Sequence, residues 1–398
     1  MSVVVQKFGG TSLKTEEARR MAVNKVIESF TVGNKVAVVV SAMGRKEDPY
    51  ATDTLISLVK EIDYEVGKRD LDLIMSCGEV ISAVVFSTLL NKEGVKAVAL
   101  TGAQAGVITD NNFNCAGTIK VYSQRITQLI DQGIIPVITG FQGVTQDGDI
   151  TTLGRGGSDT TASIVAEAIG ADLVEIYTDV NGLMTADPRM CENARIIDEI
   201  GYNEVFQLAD NGSKIIHPKA VDIVRRANIE MKIKNTFTNH KGTKITYKHI
   251  KNAESKEERL LTGITSLSDR VQIIINENDP YNEEIFTEIA QSMISIDMIN
   301  VYTDKKAFII NKENMKKVKE ILDEYNVNYL INDDCAKVTI IGNKMTGVPG
   351  IMSRVIKCLK SNNIEILQAV DSLATIALLV KKEAVKFTIT ELHREFKI

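Results

Sequence analysis

No two cysteines in this sequence are spaced as CxxC, and the five present, Cys77, Cys115, Cys191, Cys335 and Cys358, are odd in number. That argues against a disulfide framework and for a reducing compartment, so a cytoplasmic protein is expected. The four histidines are scattered, which leaves no zinc-binding pattern. A Walker A loop, GxxxxGK[ST], is missing, as are the catalytic-loop and DFG patterns of protein kinases. No apolar run reaches the ~18 residues that span a bilayer. The opening MSVVVQKFGG also lacks the charged start and long apolar core of a signal peptide. Basic excess is absent too: the net charge is −5, a poor basis for holding nucleic acid. Neither a nucleic acid nor a membrane is expected as a partner, although a few local Lys and Arg can hold a small anion.

What the sequence does have is an ordinary globular balance, 44% hydrophobic and 25% charged residues over 398 positions, enough for two or three domains. Val3–Val5 is a short apolar run feeding Lys7 and Gly9-Gly10, a buried strand entering a tight turn. Residues 15–29 have helical periodicity, with Glu16 and Glu17 near the start, where they complement the helix dipole. Continuous apolar strands are predicted at Val36–Val40, Ala97–Leu100, Ile134–Ile138 and Leu173–Tyr177, separated by helices near 53–67, 79–92, 119–132 and 159–169. Such strands alternating with helices imply α/β architecture: a mainly parallel sheet sandwiched by helices, over residues 1–247. The polar run 248–259, KHIKNAESKEER, reads as a linker. A weak internal repeat follows. Strand, helix, strand, strand and helix occupy Val271–Ile275, 283–293, Ile296–Val301, Ala307–Ile310 and 313–324. The same order returns at Lys337–Ile341, Gly350–Lys360, Ile364–Val370, Thr375–Val380 and 383–395. Two small α+β modules, 260–330 and 335–398, are expected, the opening strand of the second placed to complete the first.

Six segments carry chemistry. Lys7-Phe8-Gly9-Gly10-Thr11-Ser12 takes a strand into a turn whose glycines leave backbone N–H groups uncovered. With the helix N-terminus behind them they suit a phosphate, and Lys7 adds a mobile positive charge. An ordinary strand–turn–helix with a surface lysine would read the same way. In TLGRGGSDTT, residues 152–161, Arg155 among three glycines can grip a carboxylate bidentately. Ser158 or Asp159 is expected to cap the following helix, and the Asp159 carboxylate can orient a substrate ammonium or a metal-bound group. Tyr177-Thr178-Asp179-Val180-Asn181-Gly182, with Thr185 to Arg189 beyond, follows a buried strand end, where open α/β sheets place ligands. Asn181-Gly182 is also a turn in its own right. Lys214 can reach a nucleotide phosphate or simply face solvent, and His217 before Pro218 reads as structural. Ser76-Cys77-Gly78-Glu79 is placed at a helix start, where Glu79 serves either an ammonium group or the helix dipole. Ser41-Ala42-Met43-Gly44 follows the second strand, with Thr52 and Asp53 further on.

Together the motifs KFGGTS, SAMG, SCGE, TLGRGGSDTT, YTDVNGLMTADPR and GSKIIHP, in that order, resemble the aspartate kinases of the amino-acid kinase family. The C-terminal repeat resembles that family's pair of ferredoxin-like ACT modules. SAMGRKEDPYATD is similar to a single-polypeptide subclass that includes lysine- or diaminopimelate-regulated members. The resemblance implies use of ATP and Mg²⁺ to phosphorylate the side-chain carboxylate of L-aspartate. The product is 4-phospho-L-aspartate, in the first step of lysine, threonine and methionine biosynthesis. It implies Lys7, Gly9 and Gly10 on the ATP phosphates, Ser41 beside them, and Thr178, Asp179, Met184, Arg189 and Lys214 on the nucleotide side. Some relatives have tyrosine where this chain has Met184. Thr52, Glu79, Arg155 and Ser158 would hold aspartate, Glu79 by its ammonium and Arg155 by a carboxylate, and Asp159 would organise the reacting groups. Lys7, Arg155 and Asp159 are thus the implied catalytic residues. The first module, at Asn276–Tyr281, lacks the Pro-Gly turn that opens the helix in many relatives. The second keeps one in Val348-Pro349-Gly350-Ile351, a helix start suited to an effector's carboxylate. An end-product effector at the ACT pair is implied, lysine or diaminopimelate first and threonine as the alternative, with at least a homodimer formed through those modules.

Overall fold

The computed structural model describes residues 1–247, 261–276, 281–343, 345 and 348–398. The expected linker at 248–259 lies outside the described residues, as does most of the Asn276–Tyr281 turn. The chain forms two compact units: the described residues of Met1–Leu183, Ile196–Ala209 and Lys214–Ile250, and those of Met184–Arg195, Asp210–Ser213 and Lys251–Ile398.

In the first unit the strands are β1 Val3–Phe8, β2 Lys35–Val40, β3 Ala97–Leu100, β4 Val107–Thr109, β5 Thr118–Val121, β6 Ile135–Thr139, β7 Gln142–Val144, β8 Ile150–Thr152, β9 Leu173–Thr178, β10 Glu199–Gly201, β11 Glu230–Asn235 and β12 Thr243–Thr246. The helices are α1 Gly10–Leu13, α2 Glu16–Thr31, α3 Thr52–Lys60, α4 Lys68–Lys92, α5 Gln124–Asp131, α6 Gly157–Ala168, α7 Tyr202–Asp210 and α8 Pro218–Ala227. Eight strands pair in the order β10-β12-β11-β9-β1-β2-β6-β3, and β5-β4-β7-β8 make a small side sheet. From β11 to β3 every pairing is parallel; β12 runs antiparallel to β11. Val36 to Val40 is buried without interruption because helices cover both faces. On one face Val23 and Val26 of α2 and Ala83, Phe86 and Leu90 of α4 meet Phe8, Val38 and Val137. Helices α5 and α6 pack on the same strands.

Three boundaries differ from the sequence expectation. Helix α4 begins at Lys68 rather than near 79, so Gly78 lies inside it. A Cβ there would stand 2.8 Å from Ala42 Cβ and 2.8 Å from the Tyr50 carbonyl oxygen, so this glycine marks close packing rather than a break. Helix α3 stops at Lys60 rather than 67. The helix expected at 119–132 is two elements: Thr118–Val121 pairs with β4, and α5 opens only at Gln124. Sheet pairing has there overridden a weak helical period. Among the described residues, α4 alone is long and apolar enough to cross a membrane; half of its apolar window is buried inside the fold. All five cysteines are free thiols.

The second unit holds β13 Leu261–Asn276, α9 Asn282–Gln291, β14 Asp297–Val301, β15 Lys305–Asn311, α10 Met315–Glu324, β16 Tyr329–Gly342, α11 Ile351–Ser361, β17 Gln368–Asp371, β18 Thr375–Lys381 and α12 Val385–Phe396. Both copies of the expected repeat are present, joined in one antiparallel sheet of order β14-β15-β13-β16-β18-β17. The two longest strands serve both copies. Val271, Ile273 and Ile275 of β13 enter one core with Ile285, Phe308 and Ile321; Ile264 enters another with Val338, Val355 and Leu378. Register shifts between Leu267 and Gln272, with left-handed backbone at Asp269 and Asp334, mark where each strand changes core. The strand expected to open the second copy, Lys337–Ile341, pairs with Gly263–Leu267, and the earlier part of β16, with Ile331 and Tyr329 against Ile273 and Ile275, completes the first.

The segment Met184–Arg195 belongs to this second unit. Ala186 and Cys191 are buried with Ile264, Val338 and Leu392. The Thr185 hydroxyl lies 2.9 Å from His393 Nε2 in the interior, and the Ile264 N–H donates to the Thr185 carbonyl at 2.7 Å.

Candidate active site

Strands β9, β1, β2 and β6 are parallel and in register, Lys7 beside Val39 and Ile176 and Phe8 beside Val40 and Tyr177. Their C-terminal ends therefore finish together, and β1 lies where the chain's winding direction reverses, the usual ligand position of such sheets. The loops there are sewn to one another through backbone groups. Gly9 N–H donates to the Tyr177 carbonyl (3.3 Å), Ser41 N–H to Phe8 (3.1 Å), Gly44 N–H to Gly10 (3.0 Å) and Gly140 N–H to Val40 (2.9 Å). Gly10 must be glycine: a Cβ would stand 2.5 Å from the Gly44 carbonyl oxygen and 2.9 Å from that of Ala42. This close approach, rather than a left-handed backbone, explains the second glycine of the first motif.

Lys7 Nζ lies 2.6 Å from Asp159 Oδ1, both side chains largely buried. Two expected catalytic residues, far apart in sequence, thus meet. Arg155 is exposed and has no carboxylate partner among the described residues. Its loop is shaped by Gly154 and Gly156, both with positive φ. A Cβ on Gly156 would stand 2.3 Å from the His217 ring. Neither Ser158 nor Asp159 caps α6, contrary to expectation. Left-handed Gly156 is the N-cap, without a side-chain bond, so Ser158 and Asp159 are already helical and Asp159 is free to turn to Lys7. His217 is structural as expected: its Nδ1 accepts from Lys219 N–H at 3.3 Å and caps α8, with Pro218 next. Burial lowers its pKa, while the charge of Asp159 pulls the other way.

Glu79 is 2% exposed. Its Oε1 accepts from Ala42 N–H at 3.0 Å, and its Oε2 is buried with no partner among the described residues. Burial pushes its carboxyl from 4.5 up to about 8, against the lowering effect of the Ala42 bond. It lies mid-helix, so the helix-dipole role is removed and an unmet buried acceptor remains. Thr52 opens α3 and is half-buried. Thr178 donates to Asp179 Oδ1 (3.2 Å), and Arg45 bridges Asp179 Oδ2 (3.1 Å). Lys214 is exposed ahead of α8. Met184 and Arg189 belong to the second unit, where Arg189 Nη2 grips Asp187 at 2.6 Å.

The sequence reading missed Asp72. It is fully buried and accepts from Thr152 Oγ1 (2.6 Å) and N–H (2.9 Å) and from Asn114 Nδ2 (2.7 Å) and N–H (2.9 Å). The available signal was its spacing from Glu79, seven positions on and so on the same helix face, visible only once the helix is extended back past Gly78.

Of the two glycine amides expected to lie uncovered, that of Gly9 is given to the Tyr177 carbonyl; a strand-end lysine beside this turn, an exposed arginine in a glycine loop and a buried acceptor can still bring two anions together and neutralise the charge between them. That defines a phosphotransferase acting on a carboxylate-bearing small molecule. The model of the amino acid kinase family matches residues 2–235, and an ACT domain model matches residues 330–394. Aspartokinase 1 of Bacillus subtilis is 40% identical, over 100% of both chains. The aspartokinase of Geobacillus stearothermophilus is 36% identical, over 100% of this chain and 97% of its own. The crystal structure of E. coli aspartokinase III with aspartate and ADP shares the fold, with a TM-score of 0.81 at 22% identity over all of both chains. The chain belongs to the amino acid kinase family and, within it, to the aspartokinases.

Proposed function

We propose that the protein transfers the γ-phosphoryl group of ATP to the side-chain carboxylate of L-aspartate, forming 4-phospho-L-aspartate, under feedback from an end-product amino acid. The observation that carries this is the Lys7–Asp159 pair at the joined strand ends, with Arg155 exposed nearby in sequence and Glu79 holding an unmet buried oxygen.

The nucleophile needs no general base, because a carboxylate with a reference pKa near 4 is ionised at pH 7. The barrier is the approach of one anion to another. Lys7 and the amide of Gly10 take the phosphate charge, with Gly9 shaping the turn while its own N–H is held by Tyr177, Ser41 beside them and Thr178, Asp179 and Lys214 toward the nucleotide. Arg155 and Ser158 take a substrate carboxylate, Thr52 supports it, and Glu79 takes the ammonium. No cage of three or more His, Cys, Asp or Glu occurs among the described residues, and Asp159 offers one carboxylate. That donor set fits a Mg²⁺ carried chiefly by the nucleotide's phosphates; its chemistry would be charge neutralisation. The two ACT-like halves are the place for an effector, lysine or diaminopimelate before threonine, and for homodimer contacts. A cytoplasmic setting agrees with five free thiols.

The test is ATP-dependent hydroxylamine trapping of acyl phosphate with L-aspartate, L-glutamate and N-acetyl-L-glutamate. Signal with aspartate alone is expected. Signal with another acid overturns the substrate, and silence with all three on folded protein with Mg²⁺ points instead to a sensor without catalysis.

A further inference from the structure

Helix α4 carries two buried carboxylates seven positions apart, hence on one face and ~10 Å apart along its axis. Each holds a different loop of the site. Glu79 Oε1 fixes Ala42 in the loop after β2. Asp72 fixes Thr152, the last residue of β8, by both its N–H and its hydroxyl, and fixes Asn114 in the loop between β4 and β5 by both its N–H and its side-chain amide. Between them the Ser76 carbonyl accepts from Gln142 Nε2 at 3.0 Å. From Thr152 the chain passes straight to Arg155, and the Asn114 carbonyl lies against Gly154, 3.3 Å from where a Cβ would stand.

We infer that Asp72 is a positioning residue: through Thr152 and Asn114 it sets the Arg155 loop at a fixed distance from Glu79. Charge-assisted bonds from four donors to one buried carboxylate are short and directional, and an α-helix is a stiff spacer. This rests on the aspartate-kinase reading, in which Glu79 and Arg155 hold opposite ends of the same amino acid. Their separation then measures the length of the acid, and α4 is the ruler. Asp72 itself touches no substrate.

Asp72→Asn keeps the shape but replaces one acceptor oxygen by an NH2 group that turns a donor toward two donors. We expect the KM for L-aspartate to rise about tenfold or more, with the KM for ATP within about twofold of wild type. Thr152→Val removes one donor without touching the carboxylate and should raise the aspartate KM about threefold or more, whereas Thr152→Ser keeps the donor and should restore it. If Asp72→Asn does not fold, the Val and Ser pair decides. An unchanged aspartate KM in the folded variants overturns the inference, as does an equal rise in both KM values or failure of Ser to rescue. A wild-type protein inactive on aspartate would instead remove the functional reading beneath it, a result separate from an active wild type with unaffected variants.

Discussion

Glu79 lets the proposed ammonium site be tested by pH alone. In the ligand-free protein burial holds its carboxyl at about 8, against 4.5 unperturbed. At about 1.4 kcal/mol per pH unit, ionising it without a partner costs on the order of 5 kcal/mol. Between those two values the folded state binds a proton that the unfolded state has lost, so stability falls as pH rises from about 4.5 to about 8 and then levels. A substrate ammonium on Oε2 needs the ionised form. With a folded pKa of about 8, roughly 1% is ionised at pH 6 and half at pH 8, so the Kd for L-aspartate should tighten up to about 50-fold over that range. Calorimetry in two buffers of different ionisation enthalpy should also show close to one proton released per aspartate bound near pH 6.5. Glu79→Gln mimics the protonated group and keeps the acceptor for Ala42. It should abolish the fall in melting temperature toward pH 8, outlast the wild type there, and bind aspartate far more weakly. A Kd that is flat from pH 6 to 8, with no proton release, would refute the assignment.

Lys7→Ala should lower kcat by about a thousandfold with the far-UV spectrum preserved, since only one side chain of β1 is lost and Asp159 loses its 2.6 Å partner; turnover near wild type would sink the role. Gly10→Ala must push a Cβ off the Gly44 and Ala42 carbonyls, costing about 1–3 kcal/mol in urea denaturation and raising the KM for ATP. Gly67→Ala, whose Cβ would meet nothing, should be near neutral and serves as control. Removing residues 261–398 takes away the core that buries Ala186 and Cys191. The truncated chain should melt well below the full protein and expose 184–195 to protease, and equal melting temperature and activity would contradict that dependence.

Much of the fold was legible because parallel strands buried on both faces are largely apolar: Val36–Val40 is so throughout, and Leu173–Tyr177 is so apart from Glu175. The repeat was equally open, since Lys305 and Thr375 begin matching strands and Met315 and Val385 matching helices. The loops stand out by their glycines and charges, and Lys7 and Asp159, both expected at the site, lie 2.6 Å apart. Local pattern failed where the reason for a residue lay elsewhere in the chain. Ser76–Glu79 read as a helix start because helical propensity knows nothing of Ala42 and Tyr50, against which Gly78 packs. Ile119–Val121 read as helix because pairing with β4, which a helical period does not register, makes them a strand. Asp72 falls between the helices expected at 53–67 and 79–92 and nothing local marks it; only Thr152 and Asn114 give its burial a reason.

The sequence by itself determined the buried central strands, the loops that follow them and the charges those loops carry, because each rests on neighbours within a few residues: apolar runs, glycine turns and helical period. Tertiary structure alone decided three things. It placed two carboxylates of α4 against different loops, since burial and donor geometry depend on distant chain. It divided β13 and β16 between two cores, since the bends at Asp269 and Asp334 are imposed by what each half covers. It moved Met184–Arg195 into the unit of the ACT-like sheet, because the apolar surface that buries Ala186 and Cys191 is made by residues that follow well over sixty positions later in the chain.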